Sequence, residues 1–172
     1  MKRLSLLFVA LGILGSGCGS SSSTAPTTPT NPTFTATLSP ANEVPAIVGA
    51  EAAGSGTATV TLVTTKDGAG NVTSATATFV VNLSGFPAGT PINISHIHQA
   101  AAGVNGSVVV NSGITAGQNV LANGSGSFTA SNLTVDPALA NLILTNPAGF
   151  YFNVHSTLNP GGVARGQLVR VQ

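Results

Sequence analysis

Residues 56–86 read GTATVTLVTTKDGAGNVTSATATFVVNLSGF, and this stretch decides the fold. Its first part alternates, with Val60 and Leu62 falling on one face and Thr59 and Thr61 on the other. Its last part does the same, with Ala75, Ala77, Phe79, Val81 and Leu83 facing one way. A period of two is the spacing of a strand with one buried face, and the Gly-rich KDGAGN at residues 66–71 supplies a turn between two such strands. The pattern predicts a β-hairpin. GAGNVT at residues 68–73 superficially resembles a Gly-rich phosphate loop, but no helix follows it, so the turn reading stands.

Working outward, PINISHIHQ, GSVVVNSGI, GSGSFTASNL, GFYFNVHS and VARGQLVRV are further strand candidates. One helix is predicted in VDPALANLIL, where Asp136 caps, Pro137 takes the first helical position and Leu139, Leu142 and Ile143 make a short apolar stripe. Many short strands and one short helix predict an all-β fold, an antiparallel Greek-key sandwich or barrel, immunoglobulin-like or superoxide-dismutase-like.

Charged residues are only 5% of the 172, and the net charge is +1. Beyond position 3 the basic residues are Lys66, Arg165 and Arg170, too few for counterion-release binding, so no nucleic-acid partner is expected. Apolar content is 42%. The remaining surface is Thr, Ser, Asn and Gly, which favours strands and turns over helices.

The N-terminus carries an address. MKR is followed by LSLLFVALGIL, an apolar run of 11 residues, short of the roughly 20 that span a bilayer. Small residues and the chain's single cysteine follow. Residues 1–17 are predicted to be a lipoprotein-type signal peptide, with cleavage before Cys18 and acylation of its sulfur. Gly15 stands where such signals usually carry Leu. Residues 18–32, the lipidated cysteine and a Ser/Thr/Pro run, are predicted to tether a domain at 33–172. With Cys18 consumed, no disulfide or thiolate ligand remains for that domain. The absence of Asp after the cysteine points to the outer membrane of a cell envelope. Asn-x-Ser/Thr triplets at Asn82, Asn93 and Asn132 reflect composition beside such a signal.

The chemistry-bearing residues are few. SHIHQ at residues 95–99 sets His96 and His98 two apart, hence on one strand face about 6.6–6.8 Å apart along the chain. Two such imidazoles can converge on one metal, and His155 on a neighbouring strand can add a third nitrogen; copper and zinc both suit imidazole. A fourth ligand is not evident among Glu43, Glu51, Asp67 and Asp136. The alternative is that each imidazole braces a loop by hydrogen bonds, and Ile92 and Ile94, of the same parity, turn part of this face toward the core. Nucleophilic catalysis is disfavoured because Ser95 and Ser156 each adjoin a histidine and point to the opposite face. The acids show no pairing for glycosidase chemistry. Arg165 shares parity with Val163, Gln167, Val169 and Val171; it either points into a site near His155 to meet an anion or is buried on loop carbonyls or Glu43. There is also an internal echo: after His98 and after His155 the chain runs loop, Gly-Val, then Gly-x-aliphatic, placing the two histidines at matching ends of two hairpins.

HIHQAAAGVNGSVVV at 96–110, FYFNVHSTLNPGGVARGQL at 150–168 and SPANEVP at 39–45 together resemble the CHRD domain, named after chordin and found also in bacterial exported proteins. The resemblance covers roughly residues 34–171 and implies an extracellular or envelope β-domain with no agreed activity. It suggests a non-enzymatic module with an extracytoplasmic protein or glycan ligand. A more distant similarity, to copper/zinc superoxide dismutase, rests on His96, His98, His155 and Arg165, but further histidines and a disulfide are lacking.

Overall fold

The computed structural model describes residues 31–172, so the expected signal peptide, Cys18 and all but the end of the tether lie outside the described residues. Among the described residues, ten strands form two antiparallel sheets. In the first sheet the order is β10 (Val169–Arg170), β1 (Thr33–Leu38), β2 (Ser55–Lys66), β3 (Val72–Ser84), β7 (Gly126–Val135). The second sheet runs β5 (Ser107–Asn111), β4 (Thr90–Gln99), β8 (Phe150–Ser156), β9 (Ala164–Gln167), with β6 (Asn119–Leu121) continuing the β5 edge along the start of β4. The expected all-β sandwich is the observed fold.

The predicted hairpin at residues 56–86 is present, and its strands pair Val60 opposite Phe79 and Leu62 opposite Ala77. Its turn is held by Asp67, whose Oδ1 accepts from the backbone N–H groups of Ala69 and Asn71 at 3.0 and 2.9 Å. Ala75, Ala77, Phe79, Val81 and Leu83 are all buried in the core. The sheets meet at Phe79 and Phe152, whose rings pack edge to face with centroids 5.1 Å apart, an arrangement that suits the ring quadrupoles.

The helix α1 (Pro137–Thr145) begins as predicted: Asp136 Oδ1 accepts from the N–H groups of Ala138 and Leu139. Its buried face differs from the predicted stripe. Ala140 and Ile143 are buried, whereas Leu142 is half exposed. Leu139 and Leu144 are partly buried against the same core, so the contact face is centred on Ala140 and Ile143 and leaves Leu142 outside it. Among the described residues no helix is long and apolar enough to cross a membrane.

Two parity expectations fail, each for an identifiable reason. A bulge between Ile92 and Ile94 shifts the register of β4 against β8. Ile92 is therefore in the core, but His96 and His98 lie on the opposite face, away from it. The bulge moves one residue out of alternation and reverses everything after it. The second failure is in VARGQLVRV, which is not one strand. Leu168 turns into the core, ending β9, and β10 joins the other sheet beside β1. Val169 and Val171 are thus exposed and do not share the face of Arg165.

The β9 edge closes one side of the sandwich. Ser39, just after β1, and Arg165 exchange backbone hydrogen bonds of 3.2 and 3.3 Å. Gly166 sits against the Thr37 carbonyl there, with no room for a Cβ.

Candidate metal centre

Strand β8 is buried on both faces. Phe150, Phe152 and Val154 belong to the core. Tyr151, Asn153 and His155 alternate with them and face the other way, beneath a roof of three segments: residues 41–45, the β4–β5 loop and the β8–β9 loop. Asn105 donates to the Val44 carbonyl at 2.9 Å, which ties the first two together. Across the sheet, His98 stands opposite Tyr151, and His96 opposite Asn153, which in turn faces Arg165. Directly paired residues in antiparallel strands share a face, so these six side chains form one roofed layer.

The structure brings the three histidines together. One ring nitrogen from each lies within 4.8 Å of the others. His96, His98 and His155 are only 5, 9 and 6% exposed. His98 Nδ1 lies 2.8 Å from the Gly106 carbonyl, and His155 Nδ1 lies 2.8 Å from the Pro160 carbonyl. A carbonyl only accepts, so both Nδ1 atoms carry the proton and both Nε2 atoms present lone pairs. His96 Nε2 and His155 Nε2 are 2.7 Å apart. Because His155 Nε2 is an acceptor, the proton of that bond belongs to His96 Nε2.

The internal echo in the sequence has a physical counterpart. Each of the two histidines hydrogen-bonds a carbonyl of the loop that follows its own strand. Gly106 serves twice, since its N–H donates to Tyr151 Oη at 3.2 Å.

Burial sets the charge state. His96 is pushed down to about 3, first by burial and then by the His155 and His98 charges. Burial also lowers His98 and His155, in each case against the opposing effect of the bond to the loop carbonyl. The Arg165 charge lowers His98 further, and the His98 charge lowers His155. All three rings are therefore neutral near pH 7, the form a metal requires. Glu43 is raised to about 7, because burial outweighs the attraction of Arg165.

These shifts have opposite signs in stability. An unfolded histidine takes up protons below about pH 6.5, while the folded rings resist doing so. Their contribution is complete above that pH and is lost as pH falls toward about 3, the folded value of His96. Glu43 behaves inversely: its contribution is complete below the ordinary 4.5 and is lost as pH rises through about 7. Metal-free protein is expected to show a falling urea midpoint from pH 6.5 to 4, with a shallower fall in His96→Leu. Equal slopes in the two proteins would remove His96 from this account.

The acids do not join the histidines. Glu51 accepts from Ser156 Oγ at 2.7 Å and from Asn159 Nδ2. Asp67 holds the hairpin turn and Asp136 caps the helix. Ser95 is fully buried with Oγ unpartnered, on the core side of its strand with Ile97. Ser156 is likewise directed away from His155 and bound to Glu51, so neither serine faces a histidine.

Arg165 is 3% exposed. Its Nε donates to the Asn42 carbonyl at 2.6 Å and its Nη1 to Asn105 Oδ1 at 2.8 Å. Glu43 Oε2 lies 3.8 Å from Nε, and the guanidinium carbon sits 4.7 Å from the Tyr151 ring centroid. Tyr151 stacks on His98 with centroids 4.6 Å apart and planes 4° from parallel. Arg165 therefore binds the roof and reaches the histidines through Tyr151. It also lines a surface cleft of about 470 Å³ with Glu43 and Gln167, to which no histidine contributes.

Tyr151 and Asn153 are members of this layer that the sequence reading left out. Their signal was available: in FYFNVHS they alternate with Phe150, Phe152 and Val154 and share the parity of His155.

A two-sheet antiparallel sandwich carrying a roofed three-imidazole cluster on one outer face defines the class of this protein. The model of the CHRD domain matches residues 34–168. The chain belongs to the CHRD domain family. Comparison with curated proteins and with solved structures found no match.

Proposed function

We propose that this chain is a lipid-anchored cell-envelope protein whose CHRD domain holds a copper or zinc ion on His96, His98 and His155. The anchoring is supported by the basic start, the 11-residue apolar run and a lone cysteine at the position such processing uses. The role is one of holding metal without turnover: Glu51, Asp67 and Asp136 brace, turn or cap away from the histidines, and Glu43 lies beside Arg165 with no second acid to pair with it.

The observation that carries the metal reading is the fixed direction of two rings. His98 and His155 are each pinned through Nδ1 to a loop carbonyl, which aims their Nε2 lone pairs inward. That is the outer-shell arrangement that orients metal-bound imidazoles. His98 Nε2 is buried and has no hydrogen-bond partner, a costly state that an ion would relieve. Three neutral nitrogens and no thiolate suit copper or zinc, with a fourth position open for water or a partner's group.

A purely bracing role has its own support in the same two carbonyl bonds and in the His96–His155 contact. It offers no use for His98 Nε2. Elemental analysis of protein purified without an affinity tag separates the two. About one copper or zinc per chain, absent from a variant lacking all three imidazoles, is expected. Trace metal that persists in that variant leaves bracing as the function.

A further inference from the structure

Resting on the three-histidine reading, we infer that Asn153 is a positioning residue: it holds His96 in the tautomer that can bind metal, through a hydrogen bond that forms only when the ion is present. In the metal-free protein the hydrogen bonds place the His96 proton on Nε2, where it donates to His155. That proton occupies the position a metal needs. Binding the ion through His96 Nε2 moves the proton to Nδ1 with no change in the ring's charge, and the new N–H then requires an acceptor.

Two orphaned atoms meet this need. His96 Nδ1 and Asn153 Oδ1 are both buried with no hydrogen-bond partner. The two residues are directly opposed on β4 and β8, on the same face. Opposed side chains have Cβ atoms about 4.5–5.5 Å apart, so a side-chain adjustment brings the two atoms into contact. In the metal-free tautomer both are acceptors and repel a bond. After the proton shift one donates and the other accepts. Metal loading would therefore satisfy His98 Nε2, His96 Nδ1 and Asn153 Oδ1 together, three of the six buried polar atoms without partners among the described residues.

Glu43 Oε1 is the competing acceptor, being buried and unpartnered as well. Its carboxylate lies beside Asn153 across Gly162: a Cβ built on that glycine would be 2.7 Å from Asn153 Nδ2 and 2.9 Å from each Glu43 oxygen. Both Glu43 and Asn153 neighbour Arg165, but of the two only Asn153 is paired directly across the sheet with His96. The geometry favours Asn153.

The test uses zinc, which is silent in NMR, with Asn153→Leu, Asn153→Asp and Glu43→Gln. In zinc-loaded wild type, nitrogen-15 spectra should show His96 protonated at Nδ1, with slow exchange of that proton; in the metal-free protein the proton sits on Nε2. Asn153→Leu should lose the slow exchange and weaken zinc binding by about 10–100-fold, the range for loss of an outer-shell partner. Asn153→Asp keeps an acceptor and should bind zinc within a few-fold of wild type. Zinc affinity unchanged in Asn153→Leu, or lost instead in Glu43→Gln, overturns the role of Asn153 while leaving the three-histidine site intact. Failure of wild type to bind zinc or copper overturns both.

Discussion

Replacing His155 with Ala should lower copper or zinc affinity by at least about 100-fold, the upper end of the range for losing an outer-shell partner, and destabilise the metal-free protein by about 2 kcal/mol. The two effects differ because the ring does two things. As a brace it makes one bond to the Pro160 carbonyl at 2.8 Å and accepts one from His96 at 2.7 Å. Net losses of about 1 kcal/mol per bond are typical, rising to about 1–3 kcal/mol where a buried group is left unpaired. As a ligand of the proposed site it would supply one of three nitrogens, and no acid of the described residues groups with the three histidines to replace it. Ion at 100 times its dissociation constant stabilises the wild type by about 2.7 kcal/mol, which for a domain of this size raises the melting temperature by roughly 10 °C. The variant should show no such shift at the same metal concentration. If metal raises both melting temperatures equally, the ion is bound elsewhere.

The largest effect on folding is expected from Gly166→Ala. The added methyl would overlap the Thr37 carbonyl, a backbone group that cannot rotate away. Overpacking commonly costs about 1–3 kcal/mol and more where nothing yields; here the upper end applies, because the two Ser39–Arg165 hydrogen bonds stitch the chain together next to the contact. The seam would have to open, and Arg165 with it. Gly161→Ala is the control. It has no heavy atom near its Cβ direction and does not need the left-handed conformation, so a change within about 0.5 kcal/mol is expected. Chemical denaturation of both variants decides the matter; similar midpoints for the two would mean that β9 is not held against β1 as described.

The sequence was most legible where one rule acted alone. Within residues 56–86 the two strand segments alternate because β2 and β3 each bury a single face. Asp136 and Pro137 marked the helix start because capping is local chemistry. Legibility failed where tertiary contacts broke the alternation. The bulge after Ile92 leaves no mark in PINISHIHQ, since both parities there contain apolar residues. The split of VARGQLVRV depends on Leu168 turning into a core that the local sequence does not reveal. The spacing of His96 and His98 placed them on one face, and the hairpin echo brought in His155, so the grouping of the imidazoles could be anticipated. Which way that face pointed could not, because the answer lay in the bulge. The roof was also hidden: it depends on Asn42, Asn105 and Pro160 meeting from three separate loops.

Because each pinned imidazole is oriented by a carbonyl from its own hairpin, ring alignment is a local property of each of two short segments. Lengthening the loop after β4 should swing one nitrogen and spare its counterpart on β8. In the proposed metal site these two loops would act as separate dials, and an ion preference could drift between descendants of this chain with no alteration to the sandwich beneath.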